Sequence, residues 1–323
     1  VMVFAPTRRS PTETFIRNNL AGMPLRQTTF FGDECSGILH VPGQMAYGMA
    51  IFISKVFTRL GLQRLSTFPA SLIAYCLIRW YQPNVILVEF GFHAVRVMDA
   101  ARWSGVPLVV HFRGSDASAD RRLRVLQERY QRLMSIASAF IVKSRPMKVV
   151  LEGLGADPER ITISPSGADP ALFHGASPEE ASPRALFVGR LVEKKSPLDA
   201  LEAFAMVQQR SELPLQLDFI GEGPLRSELK ERIIALQLQD RVSLLGLKSP
   251  AEVASFMRQS RCLLLPSRVA SDGDSEGCPV VVLEAQLAGL PVVSTFHAGI
   301  PEVVVDGCTG FLAQEGDVVN LAD

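Results

Sequence analysis

Short runs rich in Val, Ile and Leu recur along the chain, each followed by a longer amphipathic stretch: VMVFAP, VILVEF, PLVVHF and AFIVKS in the first half, then ALFVGR, LQLDFI, VSLLGL, CLLLPS and PVVSTF in the second. A strand that reads as an unbroken apolar run is buried on both faces. Helices between such strands predict the parallel, doubly wound sheets of an α/β protein. At 323 residues the chain exceeds the roughly 250–300 at which a single core stops growing, so two domains are expected. The polar, Pro-punctuated segment HGASPEEASP at 174–183 reads as the linker, giving domains 1–178 and 179–323. Two Rossmann-like lobes of this kind are expected to face one another across a cleft lined by the carboxyl ends of their strands. The chain opens inside an apolar run and stops at NLAD, where a new helix is starting, so the second domain is expected to be truncated.

Composition narrows the class. The 47% hydrophobic and 20% charged residues suit a soluble α/β protein and exclude a disordered chain or a fibrous repeat. The longest apolar stretches, 45–53 and 70–78, fall short of the ~20 residues that span a bilayer, so no transmembrane anchor is expected. Five scattered cysteines without a CxxC pair read as reduced thiols of a cytoplasmic protein, not as a zinc site or disulfide frame. Net charge is zero, yet residues 1–180 carry 20 Lys+Arg against 14 Asp+Glu, and 181–323 carry 13 against 19. A basic first lobe suits an anionic or membrane-surface partner, with drift of surface charge as the plainer alternative, and no nucleic-acid partner is expected.

The densest chemistry lies in SEGCPVVVLEA at 275–285. Pro279 suits the first position of a helix running to Ala288, ahead of Gly289 and Pro291. The N–H groups of Gly277, Cys278 and the first turn at Val280 then form a phosphate site at the positive end of the helix dipole. Glu284 lies about 7.5 Å into that helix with its side chain tilted back toward the start, where acceptor-only oxygens suit a ribose diol. Glu276, ahead of the helix, is placed to meet a sugar hydroxyl; solvated carboxylates are the plainer reading of both. FVGRLVEKK at 187–195 supplies Gly189 for close backbone approach, Arg190 for a bidentate phosphate contact and Lys195 as a point charge. FIGEGPL at 219–225 is a strand–turn–helix that fails the dinucleotide fingerprint at Arg226.

In combination these elements resemble the GT-B glycosyltransferases of family 4, the group 1 retaining enzymes, in their bacterial polysaccharide-biosynthesis subgroup. The E-x7-E pair (Glu276, Glu284), GR-x4-K (Gly189, Arg190, Lys195), IGEGPL, LLGL, LPS (Leu265, Pro266, Ser267), HAGIPE at 297–302 and DGCTGF at 306–311 follow in order across 185–318. The resemblance implies that Arg190 and Lys195 hold the donor diphosphate, Glu284 the ribose and Glu276 the transferred sugar. The backbone of Gly277, Cys278, Pro279 and Val280 would lie near phosphate. It further implies retention of anomeric configuration, no cofactor or obligatory metal, and no protein nucleophile, the leaving phosphate itself deprotonating the acceptor. Ser196 stands where the family most often has Gly, which puts the local loop shape in question. DGD at 272–274 also reads as the metal–diphosphate motif of the other large glycosyltransferase fold, although here it directly precedes the E-x7-E element.

The first half matches less closely. FAPTRRSPTETFI at 4–16 looks like the opening of that subgroup and makes Glu13 and Thr14 acceptor-side candidates. EFGFH at 89–93 and VVHFRGSD at 109–116 look like its second and third strand ends, which makes His93, His111 and Asp116 cleft candidates, with satisfied structural histidines as the alternative. Asp169 matches a linker element that often reads NGVD. The third-strand loop of relatives usually reads HG, its imidazole contacting the transferred sugar, but here Arg113 precedes Gly114 and His111 lies two residues earlier. Residues two apart share a strand face, so both are expected to reach the cleft, Arg113 either binding an anionic group or pairing with a carboxylate such as Asp116. RRLRVLQERYQR at 121–132 is either a solvated helix face or a contact for anionic lipid. The expected activity is transfer of a hexose from a nucleotide-diphosphate sugar to a glycan or polyprenyl-diphosphate-linked acceptor. It would build lipopolysaccharide or exopolysaccharide in the cytoplasm, peripheral to the inner face of the cytoplasmic membrane. The alternatives are a GT-B phosphorylase- or epimerase-like enzyme and a non-catalytic nucleotide-sugar-binding subunit.

Overall fold

The computed structural model describes residues 1–8, 20, 22–35, 41–62 and 65–323, and of Arg121 the backbone alone. Two compact units result, Val1–Ala117 with Arg121–Ser164, and Ser118–Asp120 with Pro165–Asp323. The division falls after Ser164 and not within 174–183, because the intervening residues pack with the second unit. Phe173 is buried in its core, and the Ala176 N–H donates to the Ala288 carbonyl at 2.8 Å.

In the first unit β1 (Met2–Ala5), β2 (Thr28–Phe31), β3 (Ile86–Glu89), β4 (Leu108–His111), β5 (Ala139–Val142) and β6 (Ile161–Ile163) form a parallel sheet in the order β2-β1-β3-β4-β5-β6. In the second, β7 (Arg184–Val188), β8 (Gln216–Ile220), β9 (Val242–Gly246), β10 (Cys262–Leu265), β11 (Val292–Thr295) and β12 (Gly310–Ala313) take the order β12-β11-β10-β7-β8-β9, also parallel. The apolar runs predict nine of these strands, whereas β2, β6 and β12 lie at sheet edges, where half-exposed positions break the apolar pattern.

Strand order fixes where loops can form a ligand crevice. In doubly wound sheets it lies outside the carboxyl ends of the strands, where successive connections diverge to opposite sides. In the second unit that point is between β7 and β10, which are hydrogen-bonded neighbours although β8 and β9 intervene in sequence. The loop after β7 carries Gly189, Arg190 and Lys195, and the one after β10 leads to Glu276. The loop after β8 packs against the first of these: a Cβ on Gly221 would meet the Gly189 carbonyl oxygen at 1.9 Å, and one on Gly223 the Leu191 carbonyl oxygen at 2.3 Å. The glycines of IGEG are therefore required by backbone-to-backbone contact.

The turn that aims Lys195 ends on Ser196, which is buried and left-handed with φ 46° and ψ 56°. This is the conformation that Gly takes without steric cost, and it answers the question raised by the serine: the loop keeps the glycine shape. The Ser196 hydroxyl donates to the Glu193 carbonyl at 3.2 Å, recovering part of the cost. Ser196→Gly should therefore raise the urea midpoint by an amount equivalent to roughly 0.5–1 kcal/mol with an unchanged slope, whereas a lower midpoint would contradict a strained serine.

Candidate functional site

In the second unit, the side chain of Lys195 runs alongside Gly189, where an added Cβ would lie 3.3 Å from its Cδ. Its Nζ pairs with Glu276 Oε1 at 3.0 Å, and both side chains are largely buried. Beyond Glu276 the chain enters the Val280–Ala288 helix, with Pro279 as N-cap residue and Gly289, left-handed, closing it. The expected helix is thus present with Pro279 just outside it instead of at its first position, a one-residue difference. In its first turn the Val282 N–H donates to the Pro279 carbonyl at 3.1 Å, while the Val280 and Val281 N–H groups, on the same chain segment as Glu276, have no acceptor within the helix. Arg190 is exposed at the end of β7 and makes no ion pair among the described residues. Among the described residues, the structure therefore brings Gly189, Lys195 and Glu276 into contact, with Glu284 close enough to feel the Lys195 charge.

The two glutamates differ electrostatically. Burial alone would push the Glu276 carboxyl up, but Lys195 and Lys194 hold it below the usual carboxylate range. Burial pushes Glu284 up to about 7, opposed only in part by Lys195. His297 is a partner that sequence reasoning passed over, although it lies in the HAGIPE element. The Glu276 backbone N–H donates to His297 Nε2 at 3.0 Å, so the ring proton sits on Nδ1, which faces Glu315 Oε1 at 2.6 Å. Glu315 also accepts the Val269 N–H at 2.9 Å, tying the β12 exit to the loop after β10. Of the DGD residues, Asp274 pairs with Lys194 at 3.1 Å and Asp272 accepts the Asp274 N–H at 3.0 Å. Both carboxylates are thus engaged by protein groups.

The first-unit candidates are placed differently from expectation. Glu13 and Thr14 lie outside the described residues. His93 is buried, with Nε2 at 2.8 Å from the Tyr47 hydroxyl, and burial lowers its pKa to about 3, so it is a neutral packing histidine and not a cleft residue. Asp116 is buried too; its carboxylate accepts the N–H groups of Gly91, Arg113 and Gly114, each at 2.9 Å, and so fastens the β3 and β4 exits together. Arg113 lies beyond the end of β4 and turns inward, its side chain 4% exposed, to place Nε 2.8 Å and one terminal nitrogen 2.7 Å from Glu89 Oε2. It therefore pairs with a carboxylate, but with Glu89 and not Asp116. Glu89 is the register partner of His111, whose Nδ1 lies 3.5 Å from the same oxygen and whose Nε2 has no hydrogen-bond partner among the described residues. Burial, with Arg113 and Lys143 nearby, holds His111 neutral by lowering its pKa far below the ordinary value. Asp169 accepts the Ala171 N–H at 2.9 Å in a local turn. In the 121–132 stretch, Arg122 bonds Ser115 at 2.8 Å and lies over the Phe92 ring, Arg129 bonds Ser66 at 3.0 Å, and Arg132 pairs with Asp99. These guanidinium groups serve the unit's own packing.

Comparison with known proteins bears on both units. The family described as "Glycosyl transferases group 1" matches residues 172–323 and "Glycosyltransferase Family 4" matches 40–172. The amylovoran biosynthesis glycosyltransferase AmsK of Erwinia amylovora is 34% identical over 247 residues, 75% of this chain and 60% of the relative. A UDP-Gal:alpha-D-GlcNAc-diphosphoundecaprenol alpha-1,3-galactosyltransferase of Escherichia coli is 28% identical over 237 residues, 68% of this chain and 59% of the relative. The chain thus spans about three fifths of the length of these relatives. The crystal structure of Anabaena HepE in complex with UDP and glucose superposes with a TM-score of 0.70 at 18% identity, over 99% of this chain and 87% of that one, so the fold is shared.

Two measurements probe the charges described. Glu284 has a folded pKa near 7 against an ordinary 4.5; its carboxyl stays protonated in the folded state while the unfolded chain ionises, so stability is lost as pH rises from about 4.5 to about 7. Glu284→Gln should consequently stabilise the protein at about pH 8 by roughly 1–3 kcal/mol and leave it nearly unchanged at about pH 4.5. An equal effect at both pH values would contradict the raised pKa. Glu89→Ala would leave the Arg113 guanidinium buried without its carboxylate, and chemical denaturation should register a loss of about 3–5 kcal/mol; a loss under about 1 kcal/mol would mean that Arg113 reaches solvent.

Proposed function

Because the chain belongs to the group 1 glycosyltransferases of family 4 and has their GT-B fold, we propose that it transfers a hexose from a nucleotide-diphosphate sugar to a glycan or polyprenyl-diphosphate-linked acceptor, with retention, during cell-surface polysaccharide synthesis. The observation that carries this reading is the Lys195–Glu276 pair beside the start of the Val280–Ala288 helix, at the point where the connections of β7 and β10 diverge. A diphosphate there meets positive charge from Arg190, Lys195 and the helix N-terminus, so the cations for binding and for stabilising the leaving group come from the chain itself, without an obligatory metal. Glu276, held ionised, accepts from hydroxyls of the transferred sugar, while Glu284 meets the ribose diol. With no protein nucleophile, the departing diphosphate oxygen takes the proton from the incoming acceptor hydroxyl on the same face of the sugar.

For the first unit the proposal moves from Arg113 to His111. Arg113 is paired with Glu89, whereas His111 Nε2 is without a hydrogen-bond partner among the described residues and stays neutral, suited to accept from or donate to a sugar hydroxyl. The relative from Erwinia amylovora acts in amylovoran biosynthesis, and the one from Escherichia coli acts on a diphosphoundecaprenol-linked sugar. The second name supports an acceptor carried on a polyprenyl diphosphate, and on that reading the enzyme works in the cytoplasm at the inner face of the cytoplasmic membrane.

Arg190 is the cleanest place to test donor binding, because it is exposed and its removal strands no buried carboxylate. Arg190→Ala should weaken nucleoside diphosphate binding in calorimetry by roughly 1.5–3 kcal/mol, about ten- to a hundredfold, while Glu276→Gln should keep that affinity and lose turnover. Unchanged diphosphate affinity in Arg190→Ala would overturn the assignment of the donor site.

A further inference from the structure

The Gln44–Arg59 helix carries its larger apolar side chains on the wrong side for a helix that only covers a core. Its buried residues are Gln44, Tyr47, Gly48, Ala50, Ile51 and Ser54, mostly small or polar. The Gln44 amide accepts the Phe31 N–H at 2.9 Å and donates to the carbonyls of Phe31 and Glu34 at 2.7 and 2.8 Å. Tyr47 meets His93, and Gly48 lets the helix approach the Glu34 carbonyl, which a Cβ would strike at 2.3 Å. The inner face is thus fixed by hydrogen bonds and close approach.

Outward, Met45, Met49, Phe52 and Ile53 are 59, 46, 56 and 39% exposed. At about 100° per residue they and Val56 fall within an arc of roughly 100°, a stripe as wide as the core-facing stripe of an ordinary amphipathic helix. Lys55 and Arg59 stand on one flank of that arc and are exposed. The apolar surface continues through exposed Leu60, Leu62 and Leu65. Between Glu34 and Glu89 the sequence contains no Asp or Glu, but it contains Lys55, Arg59, Arg64 and Arg79. Among the described residues no helix is long and apolar enough to cross a membrane, and this one has 16 residues.

We propose that the Met45–Met49–Phe52–Ile53 stripe inserts shallowly into the anionic surface of a lipid bilayer, the helix lying in the membrane plane, and this deepens the reading of a membrane-borne acceptor given above. Apolar side chains enter the boundary between headgroups and acyl chains, while the ammonium and guanidinium groups beside them meet lipid phosphate. A stretch without carboxylates avoids repulsion by that surface. This places the contact on the 44–59 helix and not on residues 121–132, where Arg122, Arg129 and Arg132 are engaged within the unit.

Flotation of the full chain with vesicles of phosphatidylethanolamine and phosphatidylglycerol, against vesicles of phosphatidylcholine alone, tests the proposal. The wild type should float with the anionic vesicles only. Met49→Glu combined with Phe52→Glu should lower the bound-to-free ratio about tenfold or more. Lys55→Glu combined with Arg59→Glu should also lower it and flatten its salt dependence. Both double variants should keep the wild-type circular dichroism and nucleoside diphosphate affinity, which separates failure here from failure of the donor-site reading. Undiminished flotation of the Met49/Phe52 variant would overturn the proposal. So would a wild type that does not float but forms dimers abolished by the same substitutions, which would assign the stripe to a second copy of the chain.

Discussion

Parallel strands deliver their loops to one edge of a sheet, and only where neighbouring connections diverge is that edge left open. The donor-site candidates depend on this constraint. β7 and β10 are paired side by side although β8 and β9 lie between them in sequence, so the loops bearing Lys195 and Glu276 reach each other without any local sequence relation. The contact also depends on two backbones lying nearly flush. Gly221 and Gly223 allow the loop after β8 to support 189–191, and Gly189 leaves room for the Lys195 stem. A side chain at Gly221 would collide with main-chain oxygen, which cannot rotate away.

Within that arrangement one ammonium discriminates between two acids of the same type. Glu276 is ion-paired and stays charged despite burial, whereas Glu284, within the helix and without a partner at bonding distance among the described residues, holds its proton to near neutrality. His297 adds to the difference by taking the Glu276 backbone N–H, which fixes the main chain from which that carboxylate projects. The difference is one of environment, as expected when desolvation and nearby charge compete. It suits a site in which one carboxylate meets the reacting sugar and the other a neutral diol.

Much of this was legible from the residues. The apolar runs matched the buried strands, and of the residues singled out by spacing the structure brings Gly189, Lys195 and Glu276 into contact, with Glu284 near the Lys195 charge and Arg190 exposed. The edge strands β2, β6 and β12 were not legible, since a strand with one open side need not be apolar throughout. Nor were the partnerships that depend on register and burial. His297 lies 21 residues from Glu276 in sequence, and only the packing of the β11 exit against the β10 loop brings its Nε2 to that N–H. The division of the two units after Ser164 was not legible for a related reason: a polar, Pro-rich segment marks a surface, but which core Phe173 enters is a matter of packing.

The first unit shows how a local departure in sequence acquires a meaning that spacing cannot supply. An arginine in a strand-end loop reads naturally as a group offered to a ligand. Yet at 4% side-chain exposure an uncompensated guanidinium would be prohibitively costly, so its neighbour decides its role. The neighbour is Glu89, paired across the sheet with His111, and one carboxylate oxygen therefore faces both the guanidinium and the imidazole. Glu89 and Arg113 then have to be read as one pair. Burial pushes the Glu89 carboxyl up and Arg113 opposes that in part, while Glu89 holds the guanidinium inward, leaving His111 uncharged beside them. A change at either member alone alters the electrostatics of the histidine, so the departure at Arg113 has to be read together with Glu89.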